Sequence, residues 1–171
     1  MKKISFRNDI LPLKNELYRL ALRITLNHAE AEDVVQETMI KVWNRRDRWD
    51  ELESIEAFCL TICRNIAIDK TKKAENQNQS LMDEHDAPDS SYTSNPEEQA
   101  MQQDRIALIR RLIDTLPEKQ RSCMQLRDFE GKSYKEIATI LDVSEEQVKI
   151  NIFRARQTIK QKYIVTEKYG L

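Results

Sequence analysis

Apolar residues recur at three- and four-residue intervals over both ends of the chain, the period of helices with one buried face. In the first half the spacing predicts a helix from about Leu13 to Leu26. A second opens at Asn27, with Glu30 placed to complete a capping box, and runs to about Trp43. Its core stripe is Val35, Met39 and Val42; Asp33, Gln36, Glu37 and Ile40 fall on the far side. Trp43 reads as core, whereas Trp49 sits in a charged loop. A third helix starts near Ser54 and ends near Thr71. Phe58, Cys59, Ile62 and Ile66 share one face and Leu60, Cys63 and Ala67 another, so this helix should be sandwiched.

The second half opens with Asn95-Pro96-Glu97-Glu98: a cap residue, proline at the first helical position and acids in the first turn. That helix should reach about Thr115, and Pro117 should start another that stops before Gly131. Then come two capped amphipathic segments. Ser133 and Glu136 form one capping box, ahead of the stripe Tyr134, Ile137, Ala138 and Leu141. After Asp142-Val143, Ser144 and Gln147 form the next, ahead of Val148, Ile152, Ala155 and Ile159. Two such helices with so short a joint make a helix-turn-helix pattern. Opposite the core, the second helix offers Glu146, Ile150, Phe153, Arg154 and Gln157, with Lys149, Asn151, Arg156 and Lys160 to the sides. A recognition helix needs cations for phosphates and donors or apolar groups for base edges.

Between the halves, 74–95 is rich in Asn, Gln, Ser and Asp and poor in apolar residues, which predicts a flexible linker. The expected architecture is therefore all-α: two small helical domains, 1–73 and 96–171, joined by an acidic tether over 74–95. A coil of that length spans roughly 25 Å on average.

Charge changes this picture. The chain carries 28 Lys and Arg against 29 Asp and Glu, a balance that argues against nucleic acid when taken as a total. By segment it does not. Residues 1–73 are net +2, residues 74–104 have eight acids and no cation, and residues 105–171 are net +5. With charges this modest, the free protein should bind DNA weakly.

Composition then removes whole classes. The chain has 171 residues and 2 glycines, against about twelve for an ordinary protein of that length. That excludes a Rossmann fingerprint or P-loop and disfavours turn-rich β folds. Cys59, Cys63 and Cys123 are odd in number and fit no disulfide framework, and no pair of further ligands completes a metal site. They read as small buried hydrophobes. No cofactor is expected. No nucleophile pairs with either histidine, and the chain does not read as an enzyme. No apolar run is long enough to insert in a membrane, the N-terminus lacks a signal-peptide core, and a cytoplasmic location is expected.

Two blocks of sequence resemble the extracytoplasmic-function sigma factors of the sigma-70 superfamily. The first is Leu17-Tyr18-Arg19-Leu20-Ala21 through Ala31-Glu32-Asp33-Val34-Val35-Gln36-Glu37, then Val42-Trp43, Ala57-Phe58 and Arg64-Asn65-Ile66-Ala67-Ile68-Asp69. The second is Leu116-Pro117, then Leu126 through Ala138, Val148-Lys149 and Phe153-Arg154-Ala155-Arg156. The resemblance implies a factor that binds core RNA polymerase, directs it to promoter DNA and helps open the duplex. It implies a polymerase contact at Asp33, Gln36 and Glu37. It implies −10 contacts among Asn44, Arg45, Arg46, Arg48, Trp49, Arg64, Asn65, Asp69, Lys70, Lys72 and Lys73. It implies −35 contacts among Ser133, Tyr134, Gln147, Lys149, Ile150, Asn151, Phe153, Arg154 and Arg156.

It further implies an acidic tether that threads the polymerase channel, and an anti-sigma factor as partner. Two departures fall where DNA is expected. The family's Gly-Thr pair before the valine is Glu146-Gln147, and its Ser and Arg after the basic residue are Ile150 and Asn151. Promoter sequence therefore does not carry over. The alternative is a helix-turn-helix regulator that never joins polymerase; Asp33, Gln36, Glu37 and the Arg64–Lys73 block are what it would not need.

Overall fold

The computed structural model describes residues 3–77 and 96–169. Among them the regular elements are helices: α1 (Lys14–Thr25), α2 (His28–Asn44), α3 (Ile55–Gln77), α4 (Pro96–Asp114), α5 (Glu118–Met124), α6 (Tyr134–Leu141) and α7 (Glu145–Tyr169). Short turns at Phe6–Leu13, Arg46–Glu51 and Gln125–Phe129 fill the joints. Helix α3 runs to Gln77, past the expected end at Thr71 and into the segment read as tether. The rest of that tether, with Asn95, lies outside the described residues.

Helix α1 buries Leu17, Leu20, Ala21 and Ile24, spaced i, i+3, i+4, i+7. It stops at Leu26, which takes a left-handed conformation (φ 57°) and closes on Leu22 O at 2.9 Å. Asn27 then caps α2, its side chain accepting from Glu30 N–H at 2.9 Å. Helix α2 buries Val35 and Val42 of the expected stripe, while Met39 is only partly buried and Val34, outside that stripe, is fully buried. It also buries Thr38, whose hydroxyl donates back to Val34 O at 2.6 Å. The sandwiching expected of α3 is observed: Cys59, Leu60, Ile62, Cys63, Ile66 and Ala67 are all buried. One side meets α1 and α2, the other meets α6.

That last contact joins the two halves. Cys123, Leu126, Ile137, Ile140, Leu141, Val148 and Ile152 lie in the same apolar cluster as the cores of α1, α2 and α3. A smaller cluster of Ile113, Leu116, Met124 and Ala155 ties α4 and α5 to α7. Polar contacts rim the junction. Arg19 reaches Glu130 at 2.9 Å, Arg23 reaches Asp114 at 2.8 Å and Arg64 reaches Glu118 at 3.3 Å. Lys132 lies between Glu16, at 2.9 Å, and Glu56. Arg121 donates to Arg23 O (2.8 Å) and Ile24 O (3.2 Å), closing the last carbonyls of α1. The sequence pattern contained no sign of this docking.

Gly131 has φ +69° and a Cβ there would meet nothing within 4 Å. Glycine is required for its backbone angle and not for space. The turn closes through Lys132 N–H to Leu126 O at 2.9 Å, and it sets the entry to α6.

Candidate nucleic-acid and polymerase interface

Asp33, Gln36, Glu37 and Ile40 are all exposed along one side of α2, since the helix turns Val34, Val35 and Thr38 inward. Glu37 pairs with Lys70 of α3 at 3.0 Å. The acidic side of α2 therefore adjoins the basic end of α3, where Asn65, Asp69, Lys72 and Lys73 are exposed. Arg64 is set apart from that group by its bond to Glu118 across the junction.

Asn44, which ends α2, and Arg45, Arg46 and Arg48 on the turn that follows are exposed. The two tryptophans are exchanged relative to expectation. Trp49 is 6% exposed and donates through Nε1 to Val42 O at 3.0 Å. Trp43 is 46% exposed. The reason is helical: Val42 closes the core stripe, and the next residue is rotated by about 100° off it. Trp43 stands between Phe6 (5.6 Å) and Trp49 (6.1 Å), both edge-to-face, with the Arg46 guanidinium 4.7 Å from its ring centroid. Trp49 is thus a structural support, and Trp43 is the aromatic surface beside the arginines.

Both helices of the helix-turn-helix are capped by their serines, the second in a full reciprocal box. Ser133 Oγ accepts from Glu136 N–H at 3.1 Å, and its hydroxyl donates to Glu136 Oε1 at 3.2 Å. Ser144 and Gln147 exchange both bonds, Gln147 N–H to Ser144 Oγ and Ser144 N–H to Gln147 Oε1, each at 3.1 Å. Asp142, left-handed at φ 55°, makes the sharp joint between them. Lys149, Ile150, Phe153, Arg154 and Arg156 emerge exposed on α7, with Phe153 at 63%. Asn151 is partly withdrawn, its amide donating to Gln147 O at 2.9 Å. Arg156 is gripped by both carboxylate oxygens of Asp128, which raises its pKa further. The Arg127 guanidinium lies 4.6 Å and the Lys149 ammonium 5.6 Å from the centroid of the Tyr134 ring. Arg127 and Asp128 escaped the sequence reading because their partners are set by folding and not by spacing.

Among the described residues no three His, Cys, Asp or Glu gather as a metal site, and no helix is long and apolar enough to cross a membrane.

The family models agree with this arrangement. Sigma-70 region 2 matches residues 10–77, and sigma-70 region 4 matches residues 106–159. The chain is 32% identical over 145 residues to the ECF RNA polymerase sigma factor SigL of Mycobacterium tuberculosis, covering 84% of this chain and 80% of the relative. This chain belongs to the extracytoplasmic-function sigma factors. The sigma-H factor of Pseudomonas aeruginosa is similar, 32% identical over 169 residues, covering 88% of this chain and 83% of that one. A solved structure of the sigma factor RpoE of Bartonella quintana, in complex with the anti-sigma factor NepR, has the same fold. Its TM-score is 0.75 at 22% identity, over 91% of this chain and 94% of that one. This sigma factor therefore directs promoter-specific transcription initiation as a subunit of RNA polymerase. A regulator that never joins polymerase is not favoured, because region 2 is present with region 4.

Proposed function

We propose that the duties of this sigma factor divide between its halves. In this reading residues 1–73 hold polymerase and open the −10 element, 74–95 tether, and 96–171 read the −35 element. Asp33, Gln36 and Glu37 meet the polymerase. Asn44, Arg45, Arg46, Arg48, Asn65, Asp69, Lys70, Lys72 and Lys73 line the path of the opening strand, with Arg64 joining them when Glu118 releases it. Trp49 serves that path from beneath, by holding the turn. Cations that follow a single strand and an aromatic face for its bases are what strand opening needs. Ser133, Tyr134, Gln147, Lys149, Ile150, Asn151, Phe153, Arg154 and Arg156 meet the −35 duplex. The chemistry of nucleotide addition belongs to the polymerase, and this chain is no enzyme. Its place of work is the cytoplasm, under an anti-sigma factor that covers the polymerase-binding face.

The observation that carries the reading is the exposed row Asp33, Gln36 and Glu37 on a helix whose opposite side is fully buried. The test is reconstitution with core polymerase and transcription from a mapped promoter. Initiation should be promoter-specific in the wild type and lost in the Asp33→Ala, Gln36→Ala double variant. Full initiation by that variant would overturn the assignment of the face.

A further inference from the structure

Phe6 lies ahead of the part of the chain that matches sigma-70 region 2. Its segment is nonetheless fixed on the fold. Ser5 N–H donates to Asp9 Oδ2 at 2.7 Å, and Asp9 N–H donates back to Ser5 O at 2.8 Å. Ile10 is fully buried, and Ile4 and Phe6 are partly buried against the same core. The segment packs on α3. Its aromatic ring meets Trp43 edge-to-face, with the centroids 5.6 Å apart.

Trp43 carries that contact onward. Arg46 is bound to the same tryptophan twice: its Cζ lies 4.7 Å from the ring centroid, and its Nη1 donates to Trp43 O at 3.2 Å. A chain of contacts thus runs from Phe6 through Trp43 to Arg46, from the N-terminal segment to the turn that carries the arginines. Trp43 is 46% exposed, so burial alone does not fix its ring. A side chain so placed can change rotamer, and an arginine resting on it would move with it. Aromatic partners at its edges, Phe6 and Trp49, restrict that freedom. An arginine whose place is already set has less order to lose when it meets a polyanion.

We propose that Phe6 is a positioning residue for the −10 contact, acting through Trp43 to set the place of the Arg46 guanidinium. The proposal rests on the −10 assignment of Arg46 made above. It gives the N-terminal segment a part in strand opening, as a strut beneath a turn that it does not itself belong to.

The test is made on full-length protein assembled with core polymerase on a promoter fragment. Permanganate oxidation of unpaired thymines reads the equilibrium between closed and open complexes. Competition against the wild type reads affinity for core enzyme. Phe6→Leu should lower the equilibrium constant for opening about fivefold and leave affinity for core enzyme unchanged. Phe6→Tyr keeps the ring edge and should recover opening. In an Arg46→Gln background, Phe6→Leu should add little further loss, because the group it positions is gone. The role of Phe6 is overturned if Phe6→Leu opens like wild type, if Phe6→Tyr opens as poorly as Phe6→Leu, or if the two losses multiply in full. It is equally overturned if affinity for core enzyme falls as far as opening does, which would mark a general folding defect. Opening by Arg46→Gln at the wild-type level would instead remove Arg46 from the −10 contact, and the role of Phe6 with it.

Discussion

Arg121 offers the sharpest test of how the halves are held together. Its guanidinium donates to Arg23 O, Ile24 O and Leu116 O at 2.8, 3.2 and 2.8 Å. The first two cross the junction. Burial lowers its pKa, with Glu118 and Asp114 opposing that shift, so part of the bond energy is spent on desolvating the charge. Arg121→Met keeps much of the volume and removes the donors. Charge-assisted bonds contribute about 1.5–3 kcal/mol each before that discount. Two crossing bonds at the lower end, less desolvation, leave a net loss of about 2 kcal/mol. That is roughly a thirtyfold shift in the docking equilibrium. Urea denaturation of the full-length protein reads the stability, and small-angle scattering reads the separation of the halves. The variant should unfold at lower urea and show a larger radius of gyration. A loss below about 0.5 kcal/mol with an unchanged radius would show that Arg121 does not hold the junction.

Other outcomes follow from the same geometry. Arg154→Ala should relax preference at one −35 position by roughly 1–3 kcal/mol, measured over a panel of promoter variants; a uniform loss over the panel would make Arg154 a phosphate contact. Gly131→Ala should cost about 1 kcal/mol in thermal denaturation, because the left-handed angle is strained for alanine although space is free. Burial pushes Cys59, Cys63 and Cys123 up to about 12 from an ordinary 9.0. The folded state thus holds these protons longer, so their stabilising share is intact below pH 9 and is lost as pH rises towards 12. Denaturation midpoints should fall over that window, and alkylation of native protein at pH 8 should be negligible until urea opens the core.

The elements were legible because their signals are local. Asn27, Ser133 and Ser144 each sit in a capping pattern and each caps a helix. The two apolar faces of α3 foretold its burial between neighbours. The extension of α3 to Gln77 was missed because Asn76 and Gln77 have polar side chains that a solvated helix end tolerates as readily as a coil. The burial of Trp49 was missed because it depends on a turn folding back onto Val42 O, whereas the exposure of Trp43 was already implicit in its phase one position past the stripe. The junction was invisible for a different reason: Arg19 and Glu130 are separated by 111 positions in the chain, and no periodicity links them. Roles on DNA were legible only as residue types, since Asp128 occupies Arg156 and Gln147 occupies Asn151 in ways that spacing does not encode.

Lys132, held by Glu16 and Glu56 ahead of α6, bears on how such proteins can be recombined. An engineer who grafts the helix-turn-helix of another factor onto this N-terminal half would be exchanging one half of a fitted joint. Asp114, Glu118, Arg121, Glu130 and Lys132 would have to travel with the host, or Glu16 and Glu56 would face each other without their shared counter-ion. Chimeras cut within the tether but keeping those five residues should be the ones that remain stable, whatever promoter the grafted helix selects.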